Sequence, residues 1–102
     1  MPSAPRFLYV ALHYPRPERI QDLLRAMGGL GAVLRGTPGL IDANAWLEKD
    51  GARIVAMSTW ESRERFQEAV SSIQESLKDV RFEELERKPR ELFFLDELAP
   101  PG

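Results

Sequence analysis

Arg53-Ile-Val-Ala-Met-Ser-Thr-Trp60 followed by Glu61-Ser-Arg-Glu-Arg-Phe66 is the stretch that most constrains the fold. Its first half carries β-branched and apolar residues (Ile54, Val55, Met57, Thr59) with no Gly or Pro, as in a strand covered on both faces. Ser62 is then a fair helix N-cap, and Glu64 complements the dipole in the first turn. Phe66, Ala69, Val70, Ile73 and Leu77 recur at helical spacing. A strand therefore runs straight into a helix, with Trp60 at the junction. An aromatic in that position serves as a pocket wall or as core, and packing is the commoner use.

The rest of the chain supplies the partners of that unit. Arg6 to Tyr14 reads as a strand stopped by Pro15 and Pro17, and neither of its faces, Phe7/Tyr9/Ala11/His13 or Leu8/Val10/Leu12/Tyr14, is polar. Pro17 to Arg35 reads as a helix with Ile20, Leu23, Leu24, Met27, Leu30 and Leu34 in one stripe. Gly28, Gly29 and Gly31 within it point to close packing on a sheet or to a kink, each costing about 1 kcal/mol against Ala. They do not sit in a strand-to-helix turn, so a phosphate-binding role is not indicated. Gly36-Thr-Pro-Gly39 ends the helix.

Leu40 to Glu48 and Ala52 to Trp60 flank Asp50-Gly51, a hairpin signal. A two-residue turn there sets Lys49 opposite Ala52, Glu48 opposite Arg53, Leu47 opposite Ile54, Trp46 opposite Val55 and Ala45 opposite Ala56. One face then carries Ile41, Ala43, Ala45 and Leu47 with Ile54, Ala56, Ser58 and Trp60. The other carries Asp42, Asn44, Trp46 and Glu48 with Arg53, Val55, Met57 and Thr59. The first face is small at its middle, so an overlying helix either sits close or leaves a cavity. The segment 77–89 is left open between a helical turn and a loop. Arg90 to Leu98 is the last strand, and the two Pro-containing ends, 1–5 and 99–102, are expected to fray.

The order β-α-β-β-α-β defines an α+β, ferredoxin-like domain over the whole chain, 1–102, with residues 6–98 as its ordered core. Helices on one face of the antiparallel four-stranded sheet leave the other bare, and it bears Leu8, Val10, Leu12, Trp46, Val55 and Met57. A homodimer packed sheet against sheet is the expected remedy. At roughly 25 cal/mol per Å², a few hundred Å² covered per subunit contributes several kcal/mol.

With 102 residues, one domain is expected; apolar residues are 43% and charged residues 29%, as in a globular protein rather than a disordered one. A net charge of −2 without a basic cluster argues against nucleic acid. Zero cysteines exclude disulfides, thiolate metal sites and cysteine nucleophiles. No apolar stretch reaches about 18 residues and no signal-like run opens the chain, so no membrane partner and a cytoplasmic location are expected. The single histidine, His13, cannot build a zinc or haem site alone, and no metal is expected. Beside Tyr14-Pro15 it reads as a solvent-exposed ring; by strand alternation it shares a face with Tyr9, where it would serve as a base. The carboxylate pairs Glu83-Glu84 and Asp96-Glu97 read as solvated surface, and no Gly-x-Ser-x-Gly setting supports an esterase.

Pro38-Gly39-Leu40 ahead of a hairpin, Trp60-Glu61-Ser62 opening a helix, and Phe66 a turn later resemble the antibiotic biosynthesis monooxygenase family of dimeric α+β barrels, in element order over about residues 6–98. The resemblance implies a sheet-to-sheet dimer, a pocket between sheet and helices in each subunit and, as in some members, oxygenation of an aromatic substrate with no metal, flavin or other cofactor. The haem-degrading relatives pair the tryptophan with an asparagine on the first strand and a histidine about ten residues after it. Here those places fall to Phe7, Tyr9, Ala11, His13 and to Val70. Quinone-forming relatives hold an asparagine four residues before the tryptophan, where this chain has Ala56. Only Trp60 transfers residue by residue.

The expected function is a cofactor-independent monooxygenase acting on a small apolar or aromatic, polyketide-like molecule. Its pocket would be formed by Tyr9, Ser58, Trp60 and Phe66, with His13 and Trp60 as the catalytic candidates. The alternatives are a non-catalytic dimeric binding module for such a molecule and a purely structural dimer. A helix packed flat on Ala43, Ala45 and Ala56 would leave only the last.

Overall fold

The computed structural model describes residues 4–50 and 53–98. The ends at 1–3 and 99–102 and the turn residues 51–52 of the expected Asp50-Gly51 hairpin lie outside the described residues, as does the Lys49–Ala52 pair. Strand β1 (Phe7–His13) is followed by a 3-10 turn (Pro17–Arg19) and helix α1 (Ile20–Leu34). Strands β2 (Leu40–Leu47) and β3 (Ile54–Trp60) lead into helix α2 (Arg63–Leu77). The segment left open is a one-turn helix, α3 (Phe82–Leu85), before strand β4 (Glu91–Asp96). All pairings are antiparallel in the order β2-β3-β1-β4, the ferredoxin-like α+β arrangement.

The hairpin register is as expected at Ala45–Ala56, Trp46–Val55 and Leu47–Ile54, and Glu48 N donates to Arg53 O at 2.9 Å. It slips near the other end: Leu40 pairs with Trp60 but Asp42 with Thr59, a bulge of one residue. Leu40, not Ile41, therefore packs against the core around Trp60, and Ile41 is 49% exposed. The expected placement of Ile41 on the inner face is corrected by that extra residue.

Gly39 explains why the turn before β2 is Pro-Gly. Its φ is +90°, and its carbonyl accepts from Glu61 N at 2.8 Å, tying the start of β2 to the β3–α2 junction. Across that junction the Ser62 hydroxyl accepts from Arg65 N at 3.2 Å, an N-cap contributing about 1 kcal/mol.

The core is divided in two. One cluster gathers Phe7, Leu34, Trp60, Phe66, Ala69 and Ile73; the other holds Leu23, Ile54 and Leu85, with Met27, Val80 and Phe82 around it. Between them the inner sheet surface is Ala11, Ala43, Ala45, Ala56 and Ser58, too small to reach the helix. The glycines do not bring α1 down. The helix is continuous, and a Cβ built on Gly28 or Gly29 meets nothing within 4 Å. Both sequence readings of these glycines, close packing and a kink, are therefore corrected. Larger residues at either end hold α1 off the sheet, and the missing side chains leave space beneath it.

The outer sheet face is apolar and unpaired in the single chain. Register sets Phe93 beside Val10 and Leu95 beside Leu8, next to Leu12, Val55 and Met57. Trp46 is 60% exposed.

Candidate functional site

The space under α1 is a cavity of about 280 Å³, near the lower end of the ~300–1,000 Å³ typical of ligand sites. Leu24, Met27, Gly28, Leu30, Gly31 and Leu34 of α1 form one wall. Strand segments 43–45 and 56–58 form the opposite wall, with Leu77 and Phe82 at its sides. Most of this lining is hydrocarbon; Tyr9, His13, Ser58 and Arg90 bring polar groups to it, and Arg35 lies at the helix end.

His13 is 5% exposed, contrary to its reading as a solvated ring. The reason lies 73 residues along the chain. Past β1, Arg16 N donates to Leu85 O (2.8 Å) and Arg87 N to Tyr14 O (2.9 Å), so the segment around Glu86 pairs with Tyr14-Pro15-Arg16 and closes over the strand end. Glu86, itself buried, accepts from Tyr14 N at 2.7 Å through Oε1 and sets Oε2 3.3 Å from His13 Nδ1. The His13 ring also stacks on Phe82, with centroids 5.8 Å apart and planes at 25°. An ionised Glu86 selects the tautomer with hydrogen on Nδ1, leaving Nε2 with a lone pair. Nε2 has no protein partner among the described residues, yet no buried side-chain polar atom there is left unpaired, so Nε2 is not sealed off. A carboxylate-held imidazole at the edge of an apolar cavity is equipped to take and return a proton.

Tyr9 packs between Phe66 and Phe94, with centroids at 5.1 and 5.3 Å. Burial pushes its hydroxyl above the ordinary 10.0, against a smaller downward pull from the Arg90 guanidinium, so it stays a neutral phenol at physiological pH.

Trp60 and Phe66 do not line this cavity. Trp60 is fully buried, edge-on to Phe66, in the first core cluster, because strand β3 enters α2 beyond the run of small residues that leaves the space. Trp60 reaches the site through one neighbour: its Nε1 donates to the Ser58 hydroxyl at 2.9 Å. That bond fills an acceptor site of Ser58 and frees its O–H for the cavity. The structure thus brings Tyr9, His13 and Ser58 together on the cavity and sets Trp60 and Phe66 behind it. Glu86, Phe82 and Arg90 were not singled out from the sequence. The Leu85-Glu86 pairing with 14–16 has no local signature, whereas Arg90 is visible in the sequence as a charge at the start of an apolar strand.

Among the described residues no three His, Asp or Glu side chains cluster as a metal site, and no helix is long and apolar enough to cross a membrane.

The fold, a ferredoxin-like sheet with helices on one face, defines a class shared by several solved structures. No family model and no curated protein matches the sequence. A conserved protein from Methanosarcina mazei Go1 superposes with TM-score 0.81 at 16% identity, covering 92% of this chain and 94% of that one. An antibiotic biosynthesis monooxygenase does so with TM-score 0.74 at 15% identity over 91% and 99%. A monooxygenase from Streptomyces coelicolor, solved in complex with nanaomycin D, gives 0.66 at 20% identity over 93% and 89%. The resemblance to antibiotic biosynthesis monooxygenases thus holds at the level of the fold.

Proposed function

We infer that this chain is a cofactor-independent monooxygenase of small aromatic, polyketide-like molecules, working as a homodimer. The observation that carries the reading is the His13–Glu86 pair opening on a mostly apolar cavity. The likeness in fold to monooxygenase structures, one of them solved with nanaomycin D, supports it.

In this reading a substrate with an acidified methylene, such as an anthrone, gives a proton to His13 Nε2, and Glu86 holds the resulting imidazolium. The carbanion passes its electrons to dioxygen as a C–O bond forms, and the imidazolium returns its proton to the peroxide oxygen, giving a hydroperoxide. His13 then takes the second hydrogen from carbon as a proton while the O–O bond breaks, and hands it to the departing hydroxide, leaving a ketone and water. One methylene and one dioxygen become one carbonyl and one water. The apolar walls supply the water-poor setting in which charge development responds most to these few polar groups. Tyr9 and Ser58 orient the substrate oxygens, and Trp60 is a positioning residue acting through Ser58. The dimer covers the apolar outer face of the sheet.

Oxygen uptake with an anthrone tests the proposal: turnover falls about 100-fold or more in His13→Gln with the circular dichroism spectrum unchanged. Trp60→Phe raises KM more than it lowers kcat. Absence of uptake with anthrones and hydroquinones overturns it. One observation favours a second reading, a dimeric binding protein without turnover: Ala56 stands where a polar clamp on the substrate would be needed. Binding without oxygen consumption is its signature.

A further inference from the structure

Seven arginines among the described residues face a carboxylate within salt-bridge distance. Arg90 does not, although glutamates crowd it in sequence. Three of them are already engaged: Glu84 with Arg81, Glu86 with His13 and Tyr14 N, and Glu91 with the Tyr14 hydroxyl. Arg90 instead lies with its guanidinium 4.0 Å over the Phe82 ring, the same ring that stacks on His13, and lines the cavity there. A cation–π contact uses the face of the guanidinium and leaves the N–H donors at its edge free. None of them is hydrogen-bonded among the described residues. Arg90 is close enough to Tyr9 for its charge to act on that hydroxyl. One side of the cavity therefore holds a half-buried, unneutralised cation beside an imidazole and a phenol, in an acidic protein whose other cavity walls are mostly hydrocarbon.

We propose that the occupant of this cavity is an aromatic carboxylate, its rings between α1 and the alanine-lined sheet and its anionic group on Arg90. Arg90 fits this use because a planar fork meets a carboxylate through two parallel bonds, about twice as strong as neutral hydrogen bonds. The low-dielectric lining strengthens the attraction further. Arg35 also lines the cavity without a carboxylate partner, but it is exposed at the α1 C-terminus, where a cation serves the helix dipole. The inference deepens the functional reading above and rests on its cavity, not on its chemistry.

Calorimetric titration of the full-length protein with 2-naphthoate and with its methyl ester decides the matter. The acid is expected to bind about tenfold or more tightly than the ester, with an affinity that weakens as salt is raised. Arg90→Met, which keeps an apolar stem over Phe82, removes the preference and leaves ester affinity within about twofold; Arg90→Lys keeps part of it. Arg35→Met changes neither. Equal affinity for acid and ester, binding of neither, or loss of preference in Arg35→Met but not Arg90→Met overturns the proposal. Oxygen uptake separates it from the monooxygenase reading. Carboxylate preference without uptake of oxygen overturns turnover alone, whereas turnover of a neutral anthrone unchanged in Arg90→Met, with no carboxylate preference, overturns this assignment alone.

Discussion

Glu86 holds two groups of the β1 end at once: its Oε1 is 2.7 Å from Tyr14 N and its Oε2 is 3.3 Å from His13 Nδ1. Both carboxylate oxygens are thus spent inside the protein. Replacing Glu86 by Leu strands a buried backbone N–H, which costs about 1–3 kcal/mol in urea unfolding. Glu86→Gln keeps one oxygen for Tyr14 N and loses less. If the two variants are equally stable, the Tyr14 bond is not what Glu86 contributes.

Gly28 separates stability from binding. A Cβ there meets nothing, and Ala is the better helix former, so Gly28→Ala raises stability by about 0.5–1 kcal/mol. Gly28→Leu fills the space below α1, lowering affinity for bicyclic ligands at least about tenfold while the melting temperature holds or rises.

The outer sheet face predicts a particle of twice the chain mass by light scattering at micromolar concentration. Val10→Asp with Trp46→Asp sets charges on the central strand β1 and the edge strand β2 of that apolar surface and yields single chains. A single-chain mass for the unaltered protein would remove the need for a partner.

Gly39→Ala is expected to be among the costlier single changes. The residue sits at φ +90°, and an added Cβ falls against the Arg65 side chain, 2.8 Å from its Cδ. The backbone penalty alone is about 1–2 kcal/mol. Arg65→Ala in the same chain removes the clash with Cγ and Cδ but keeps the closest contact, with the Arg65 Cβ, and the backbone penalty, so a double-mutant cycle reads only a partial recovery.

Acid should loosen the sheet margins. Hydrogen bonds from Arg53 and Arg6 hold the Glu48 and Glu97 carboxyls below their ordinary 4.5. Protons then bind the unfolded chain more readily, so the stability these groups lend is complete above that value and is lost as pH falls through their lowered ones. Urea midpoints between about pH 6 and about pH 3 drop more steeply for the parent chain than for Glu48→Gln with Glu97→Gln. The pairs are exposed, so salt weakens the difference.

The element order and the β2–β3 register are legible in the sequence because both follow from local periodicity and a short hairpin. The bulge at Ile41 is not, since Leu40 and Ile41 are equally apolar and only the fixed position of Trp60 chooses between them. The choice between the two readings of His13, solvated ring or cavity neighbour of Tyr9, is not legible for a related reason. Nothing near Tyr14-Pro15 announces that 85–87 will pair with it, and strand pairing at that separation leaves no periodic trace. Trp60 shows the opposite failure: its position in the chain was plain, but its use depended on where the small residues ran out. Ala43, Ala45, Ala56 and Ser58 were recognised as small, and whether smallness meant contact or space was decided by the bulk at both ends of α1.

The wall over the cavity is shaped at Gly28 and Gly31 by what those residues lack. Added methyl or isopropyl groups there would trim the chamber from one side, atom by atom, without disturbing the sheet, His13 or Arg90. A few helix positions therefore set the girth of the space while the polar groups of its lining stay put.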